Sequence, residues 1–210
     1  RVTGVYTLFI EKLKRARSLD DLPINPVAAM LRRLKADEFE VLKASIKQIG
    51  VTNPIGVDAD NIATLTWDMP GKAMNVITDV TMAELSDVID HVSEDTTLKG
   101  CVIISGKPDS FSGGADIKMI QGLLKTYHEQ VPARGEAAAM QSFFDESRRL
   151  TLLLRKLETC GKPFVAAING VCLGGAFELA LACHHRLVSD DAKTRVGLPE
   201  IKIGIFPGAG

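Results

Sequence analysis

The sequence predicts an α/β fold in which buried parallel strands alternate with helices. Short apolar runs bounded by turn residues recur, for example at residues 100–105 and 164–168, and such runs are typical of parallel strands covered on both faces. Longer segments between them, such as residues 81–92, carry apolar residues at helical spacing. This alternation indicates crossover connections and a largely parallel sheet.

The regular pattern starts near residue 54 and can be followed element by element. The predicted strands are 55–57, 62–67, 100–105 and 164–168, the first two joined by a polar turn. The predicted helices are 81–92, 116 to about 124, about 137–157, and one that starts at Gly174. The segments between them, including the long stretch 106–116, are predicted to be loops.

The sequence pattern changes near residue 50. Residues 1–50 hold a basic cluster and a patchily amphipathic stretch, and they are left as an unassigned N-terminal extension. The acidic residues Glu11, Asp20 and Asp21 argue against a mitochondrial presequence there. Residues 51–210 form the predicted α/β domain. Because the sequence lacks an initial methionine and stops inside a glycine loop, we expect a fragment of a longer protein.

Composition excludes several classes of function. The 210 residues are 46% hydrophobic and 24% charged, with a net charge of −1, so neither nucleic acid nor an anionic membrane is an expected partner. No apolar run approaches the length of a membrane span. The four cysteines form no C-x-x-C pair and have apolar neighbours, which predicts reduced, buried thiols; they are Cys101, Cys160, Cys172 and Cys183. The histidine spacing predicts no metal site.

Two glycine-rich joints each lie between a predicted strand and a predicted helix. They are Ser112-Gly-Gly-Ala-Asp116 and Leu173-Gly-Gly-Ala176. The first amides of a helix have no internal partner and carry the positive end of its dipole. Two such joints side by side would supply two converging N–H donors, an oxyanion hole made from main chain alone. Two unrelated close-packed turns are the alternative.

Two carboxylates accompany these joints. Glu178 lies one turn into the helix after Gly175, and Glu200 follows in Gly197-Leu-Pro-Glu200. Carboxylates near an amide-lined pocket are suited to moving protons beside an oxyanion. A simple helix-dipole partner and a solvated turn residue are the respective alternatives. No G-x-S-x-G elbow, phosphate loop or G-x-G-x-x-G fingerprint is present, so hydrolysis, nucleotide binding and NAD binding are not predicted.

Several ordered segments resemble the enoyl-CoA hydratase/isomerase (crotonase) family. They are residues 111–118, 166–170, 173–179, 197–201 and 207–210, and the resemblance extends over about residues 54–210. Residues 183–194 and the long insertion before Lys162 are most similar to the hydratase domain in the multifunctional α-chain of the fatty-acid β-oxidation complex. The resemblance implies a crotonase-like ββα superhelix, truncated at the C-terminus.

The resemblance also implies roles for individual residues. Ala115 and Gly175 match the oxyanion-hole residues, and Glu178 and Glu200 match the two catalytic glutamates. The region that receives the CoA moiety is matched by Lys72, Ala73, Met74, Gly113 and Lys118. Two departures are Ala176, where the family commonly has a third glycine, and His184, where an aspartate is usual; we interpret His184 as a structural variation.

The implied activity is hydration of the C2=C3 bond of trans-2-enoyl-CoA in fatty-acid β-oxidation, with Glu178 as base and Glu200 as acid. A Δ3–Δ2 enoyl-CoA isomerase and an inactive truncated fragment are the alternatives. Hydration needs no cofactor beyond the CoA thioester substrate, and NAD would serve only a dehydrogenase domain that this sequence lacks. An oligomer or a complex with a thiolase subunit is implied for the full-length protein. A bacterial cytoplasmic location is favoured over the mitochondrial matrix.

Overall fold

A computed structural model of the chain describes residues 55–209. The N-terminal extension and its predicted boundary near residue 50 lie outside these residues. The strands are β1 Ile55–Val57, β2 Ile62–Trp67, β3 Gly100–Ser105, β4 Ser110–Ser112, β5 Phe164–Ile168, β6 Val171–Leu173, β7 His185–Val188 and β8 Arg195–Gly197. The helices are α1 Asp79–Glu94, α2 Ile117–Arg134, α3 Glu136–Ser147, α4 Arg149–Glu158 and α5 Gly175–Ala182, followed by a 3₁₀-helix at Glu200–Ile203.

The described strands form two sheets. The larger has the order β1-β2-β3-β5-β7, antiparallel between β1 and β2 and parallel elsewhere, and the smaller has the parallel order β4-β6-β8. From β3 onward the chain repeatedly runs through a strand of the larger sheet, a strand of the smaller sheet and then helix. This ββα succession confirms the predicted α/β superhelix.

The predicted strands are confirmed, and the differences occur in short or polar segments. All four strands fall at the predicted residues, but the loop predicted over 106–116 contains β4. Strands β4, β6 and β8 have three residues each, too few to display an alternating pattern. Helix α2 continues ten residues beyond the predicted end at 124, to Arg134, because its polar second half hides the helical period.

The long helix predicted over 137–157 is two helices. Arg148, with φ −82° and ψ −2°, ends α3 and precedes α4. Residues 145–149 are all polar, but Phe143 and Leu150 on either side are two turns apart and keep the same helical phase, so periodicity alone could not locate the joint. Its consequence is visible in the exposures: Met140 and Phe144 on α3 are 48% and 51% exposed, while Leu153 and Leu157 on α4 are buried.

The core lies between the larger sheet and helices α1, α4 and α5. Helix α1 buries the apolar face that its spacing predicts, comprising Met82, Val88, Ile89 and Val92. Strand β5 is buried along its whole length, as the sequence predicts for a central parallel strand. Within the described residues, no helix is both long and apolar enough to cross a membrane.

Apolar side chains are also exposed after β8. Ile201 and Phe206 are 79% and 80% exposed, and Ile203 is 60% exposed. Large exposed apolar groups that adjoin one another are typical of surfaces that another polypeptide covers.

The cysteine prediction holds for three of the four residues. Cys101, Cys172 and Cys183 are buried free thiols, and their burial raises the pKa of each thiol to about 12. Cys160 is only partly buried, because it lies in the turn after α4, where its Sγ contacts the Lys162 carbonyl oxygen at 3.3 Å.

We therefore expect the four thiols to differ in reactivity. At pH 8 the folded protein should react with a disulfide reagent first at Cys160, because the thiolate is the reacting form and burial suppresses it elsewhere. A Cys160→Ser variant should lose this first phase, and denaturant should release the other three thiols. Equal labelling of all four thiols in the folded protein, measured by peptide mass spectrometry, would contradict the burial described above.

Candidate active site

The two glycine-rich joints lie side by side because they follow neighbouring strands of the smaller sheet. Strand β4 pairs in parallel with β6, with Ser110 opposite Val171 and Ser112 opposite Cys172. Their carboxyl ends, and the joints that follow, therefore meet at one edge. The sequence correctly indicates similar joints, but it does not predict the short strands β4 and β6 that precede them in a second sheet.

A parallel bridge fixes the direction of the Ala115 amide. The Ile77 nitrogen donates to the Gly114 carbonyl oxygen at 2.8 Å, and the Asp116 nitrogen donates to the Ile77 carbonyl oxygen at 2.9 Å. The Gly114 carbonyl and the Ala115 N–H belong to one trans peptide and point in opposite directions. The Ala115 N–H is therefore directed away from the Ile77 backbone.

The start of α5 fixes the Gly175 amide in a similar way. The Gly174 carbonyl accepts from the Phe177 and Glu178 nitrogens at 2.8 and 3.0 Å, so it points along the helix. The Gly175 N–H, in the same peptide, then points out of the helix N-terminus. Among the described residues, neither this amide nor that of Ala115 donates a hydrogen bond to a protein acceptor.

Close approach of the two joints depends on glycine. A Cβ placed on Gly175 would lie 3.7 Å from the Ala115 nitrogen, and one placed on Gly114 would lie 3.3 Å from the Gly175 nitrogen. Gly114 also has a φ of 95°, and its added Cβ would lie 2.6 Å from the Leu173 carbonyl oxygen. A side chain at residue 114 would therefore clash and force the joints apart. The two unpartnered amides thus lie at one small site.

Glu200 reaches this site from the 3₁₀-helix. It is 8% exposed, and its Oε1 would lie 2.9 Å from a Cβ on Gly174. Gly174 has φ 56°, so this residue needs glycine both for its backbone conformation and for the approach of the carboxylate. Among the described residues, no donor reaches the buried Oε2 of Glu200. A buried carboxylate oxygen without a donor is costly, which is typical of a group kept for a ligand.

Glu178 lies in the first turn of α5 and is 6% exposed. Its Oε1 accepts a hydrogen bond of 2.7 Å from the Ala209 backbone nitrogen. The same loop is held to α4, since the Thr151 hydroxyl donates to the Gly208 carbonyl oxygen at 3.2 Å. The two predicted carboxylates are therefore both buried, and both come from segments that meet at the start of α5.

Asn75, which the sequence pattern does not single out, organises the loop that carries the predicted CoA-binding residues. Its side chain is fully buried and donates to the Trp67 carbonyl at 2.7 Å and to the Ser105 hydroxyl at 3.0 Å. Its backbone carbonyl accepts from the Gly113 nitrogen at 2.9 Å. These bonds tie the loop to the ends of β2, β3 and β4. An asparagine in a loop after Pro-Gly gives no sequence signal for such a role.

This arrangement brings some of the predicted CoA-binding residues close together. A Cβ on Gly113 would lie 2.6 Å from the Met74 sulfur, so the exposed segment of Lys72, Ala73 and Met74 packs against the first joint. Lys118 is exposed in the first turn of α2, just after that joint, and its backbone nitrogen donates to the Asp116 carboxylate at 2.8 Å.

The two departures from the family pattern have structural explanations. Ala176 is fully buried beside the Gly175 amide, so its methyl group fills core space without occupying the donor position. The Nδ1 of His184 accepts a hydrogen bond of 3.1 Å from the Phe164 nitrogen. A carboxylate could accept the same bond, which supports the interpretation of His184 as a structural variation.

Comparison with known proteins places this chain in a family. The Enoyl-CoA hydratase/isomerase family profile matches residues 58–210. The fatty acid oxidation complex subunits alpha of Idiomarina loihiensis and Shewanella oneidensis are 43% and 42% identical to the chain over 151 residues, which is 72% of this chain. The chain spans about a fifth (19%) of the length of these relatives.

Solved structures agree with the fold. An enoyl-CoA hydratase from Bacillus anthracis superposes with a TM-score of 0.57 and 26% identity, covering 75% of this chain and 55% of that protein. Pseudomonas aeruginosa DspI superposes with a TM-score of 0.58 and 28% identity, covering 76% of this chain and 54% of that protein.

Proposed function

Because the chain belongs to the enoyl-CoA hydratase/isomerase family, we propose that it adds water across the C2=C3 bond of a trans-2-enoyl-CoA in fatty-acid β-oxidation. The observation that carries this proposal is the pair of unpartnered amides, Ala115 and Gly175, beside two buried carboxylates. Hydration needs both features, since charge develops on the thioester oxygen while protons move at C2 and C3.

The amides serve the thioester oxygen. Water adds poorly to an isolated alkene, but a conjugated thioester can accept the electron pair at its oxygen and form an enolate. The Ala115 and Gly175 N–H groups would hold that oxygen, and the N-terminal dipole of α5 would favour its charge. A single donor of this kind typically contributes about 3–4 kcal/mol to the transition state.

The carboxylates serve the two protons. In the proposed step Glu178 takes one proton from water while the water oxygen bonds to C3, and a protonated Glu200 delivers a proton to C2. The elements of one water are thereby added, and the proton gained by Glu178 returns to Glu200 directly or through solvent.

The CoA part of the substrate would lie along the loop of Lys72, Ala73 and Met74, with Gly113 and Lys118 beside it. The two lysines are exposed cations that suit phosphate groups, and the packing of Met74 on Gly113 leads from this loop to the first amide. The family acts on CoA thioesters, and we propose that this chain needs no cofactor for hydration.

Assembly and location are extensions of the same proposal. The relatives named above are subunits of a fatty acid oxidation complex, so we propose that the full-length protein works as an oligomer or beside a thiolase subunit. Those relatives are bacterial, and a cytoplasmic site of action follows by analogy.

The proposal is tested by the absorbance of the conjugated enoyl thioester. Adding the protein to trans-2-butenoyl-CoA should lower this absorbance with saturable kinetics, and heat-denatured protein is the control. An isomerase without hydratase activity would instead raise the absorbance when it is given a 3-enoyl-CoA and leave trans-2-butenoyl-CoA unchanged.

A further inference from the structure

Two side-chain methyl groups lie next to Gly175. A Cβ placed on Gly175 would lie 3.3 Å from Leu150 Cδ2 and 3.4 Å from Ile77 Cδ1, and 3.7 Å from the Ala115 nitrogen. The two side chains therefore reach the same small region as the two amides. Leu150 is partly buried against the core, and Ile77 is buried.

We infer that Leu150 and Ile77 form the side wall of the acyl site and make the enzyme selective for straight-chain over 2-methyl-branched acyl thioesters. This inference rests on the proposed function. A thioester oxygen bound to the Gly175 amide at about 2.9 Å leaves C2 only two bonds away. A methyl group on C2 then competes for space with the Leu150 and Ile77 methyls, whereas a hydrogen atom does not.

A partly exposed ion pair links the two segments that carry this wall. Arg149 Nη1 donates to the Asp79 carboxylate at 2.8 Å and to the Glu146 carboxylate at 3.0 Å. Arg149 directly precedes Leu150 at the start of α4, and Asp79 starts α1 two residues after Ile77. The pair thus connects the backbone segments that carry the two methyl groups, and Arg149 acts as a positioning residue for Leu150.

The experiment compares binding and turnover of straight and branched thioesters. Binding of butanoyl-CoA and 2-methylbutanoyl-CoA is measured by calorimetry, and hydration of 2-butenoyl-CoA and 2-methyl-2-butenoyl-CoA by absorbance. Leu150→Ala should raise the branched-to-straight ratio of kcat/KM and of affinity about tenfold or more, since one methyl group in an apolar pocket has effects of this size. Leu152→Ala is the matched control, because Leu152 is on the same helix but 51% exposed.

Arg149→Met should shift the same ratio in the same direction but by less, while Arg155→Met, on the same helix with its own partner Glu158, should not. If Arg149 has only a structural role, Arg149→Met should change the melting temperature without changing the branched-to-straight ratio. If Leu150→Ala does not fold, Leu150→Val has to show a smaller shift of the same sign.

These outcomes distinguish the inference about Leu150 and Ile77 from the proposed hydration activity. Equal ratios in Leu150→Ala and Leu152→Ala overturn the inference, even if the wild-type protein hydrates its substrate. If the wild-type protein hydrates nothing, the proposed function fails, but a shifted binding ratio in Leu150→Ala still supports the wall. An unshifted binding ratio overturns the inference in that case too.

Discussion

Replacing either buried glutamate should abolish most of the hydration activity. Glu178→Gln and Glu200→Gln are each expected to lower kcat for trans-2-enoyl-CoA by about 10³-fold, within the range for a lost general acid or base. Because both carboxylates act on one water, the double variant should be little worse than the poorer single variant. The measurement is absorbance loss of the conjugated thioester, and Glu84→Gln, at an exposed position of α1, is the control.

Stability gives an independent check on the same variants. Glu200→Gln should melt close to the wild-type temperature, because among the described residues Oε2 of Glu200 makes no hydrogen bond that the substitution could remove. Glu178→Gln keeps an oxygen that can accept from the Ala209 nitrogen. Near-wild-type hydration by Glu178→Gln would reduce Glu178 to a structural partner of that amide and would contradict its proposed role as the base.

Deleting the Gly175 donor should have the second large effect. Gly175→Pro removes the N–H and is expected to lower kcat by about 10²–10³-fold, as for other oxyanion-hole donors. Proline fits the first position of a helix, so α5 should still form. The loop around Lys72 is unchanged, so CoA binding should survive in a calorimetric titration.

Gly175→Ala is the matched control for this change. It adds a similar Cβ, 3.3 Å from Leu150 Cδ2 and 3.4 Å from Ile77 Cδ1, but keeps the amide. The ratio of the two variants therefore reports the donor rather than the added bulk. Equal kcat values for Gly175→Pro and Gly175→Ala would show that this amide does not stabilise the transition state.

The strands at 55–57, 62–67, 100–105 and 164–168 and the two small-residue joints could be predicted because their signals are local. Residues 164–168 form a continuous apolar run next to Asn-Gly, and the two small-residue joints stand at helix starts. The association of the joints could be suggested from their similarity, but its cause could not. Strands β4 and β6 are three residues long, and their pairing is a tertiary contact without a periodic pattern.

Other parts of the site could not be predicted because the contacts join segments far apart in the chain. Asn75 bonds to Ser105, and Ala209 bonds to Glu178, although neither Asn75 nor Ala209 lies in a pattern that suggests this. In the sequence, Leu150 is one of several apolar residues in the long helix predicted over 137–157. The break at Arg148, which apolar spacing does not mark, sets the start of α4 and so the placement of Leu150 beside Gly175.

The most direct test of a hydratase site built on two amides and two carboxylates is the origin of the oxygen in the product. The protein is incubated with trans-2-butenoyl-CoA in H₂¹⁸O, and the thioester product is analysed by mass spectrometry. We expect a 3-hydroxybutanoyl-CoA that carries one ¹⁸O on C3, and its formation should be lost in the Glu178→Gln, Glu200→Gln double variant. A product in which only the position of the double bond has changed and which contains no ¹⁸O would contradict the account. So would a double variant that forms the labelled product as fast as the wild type.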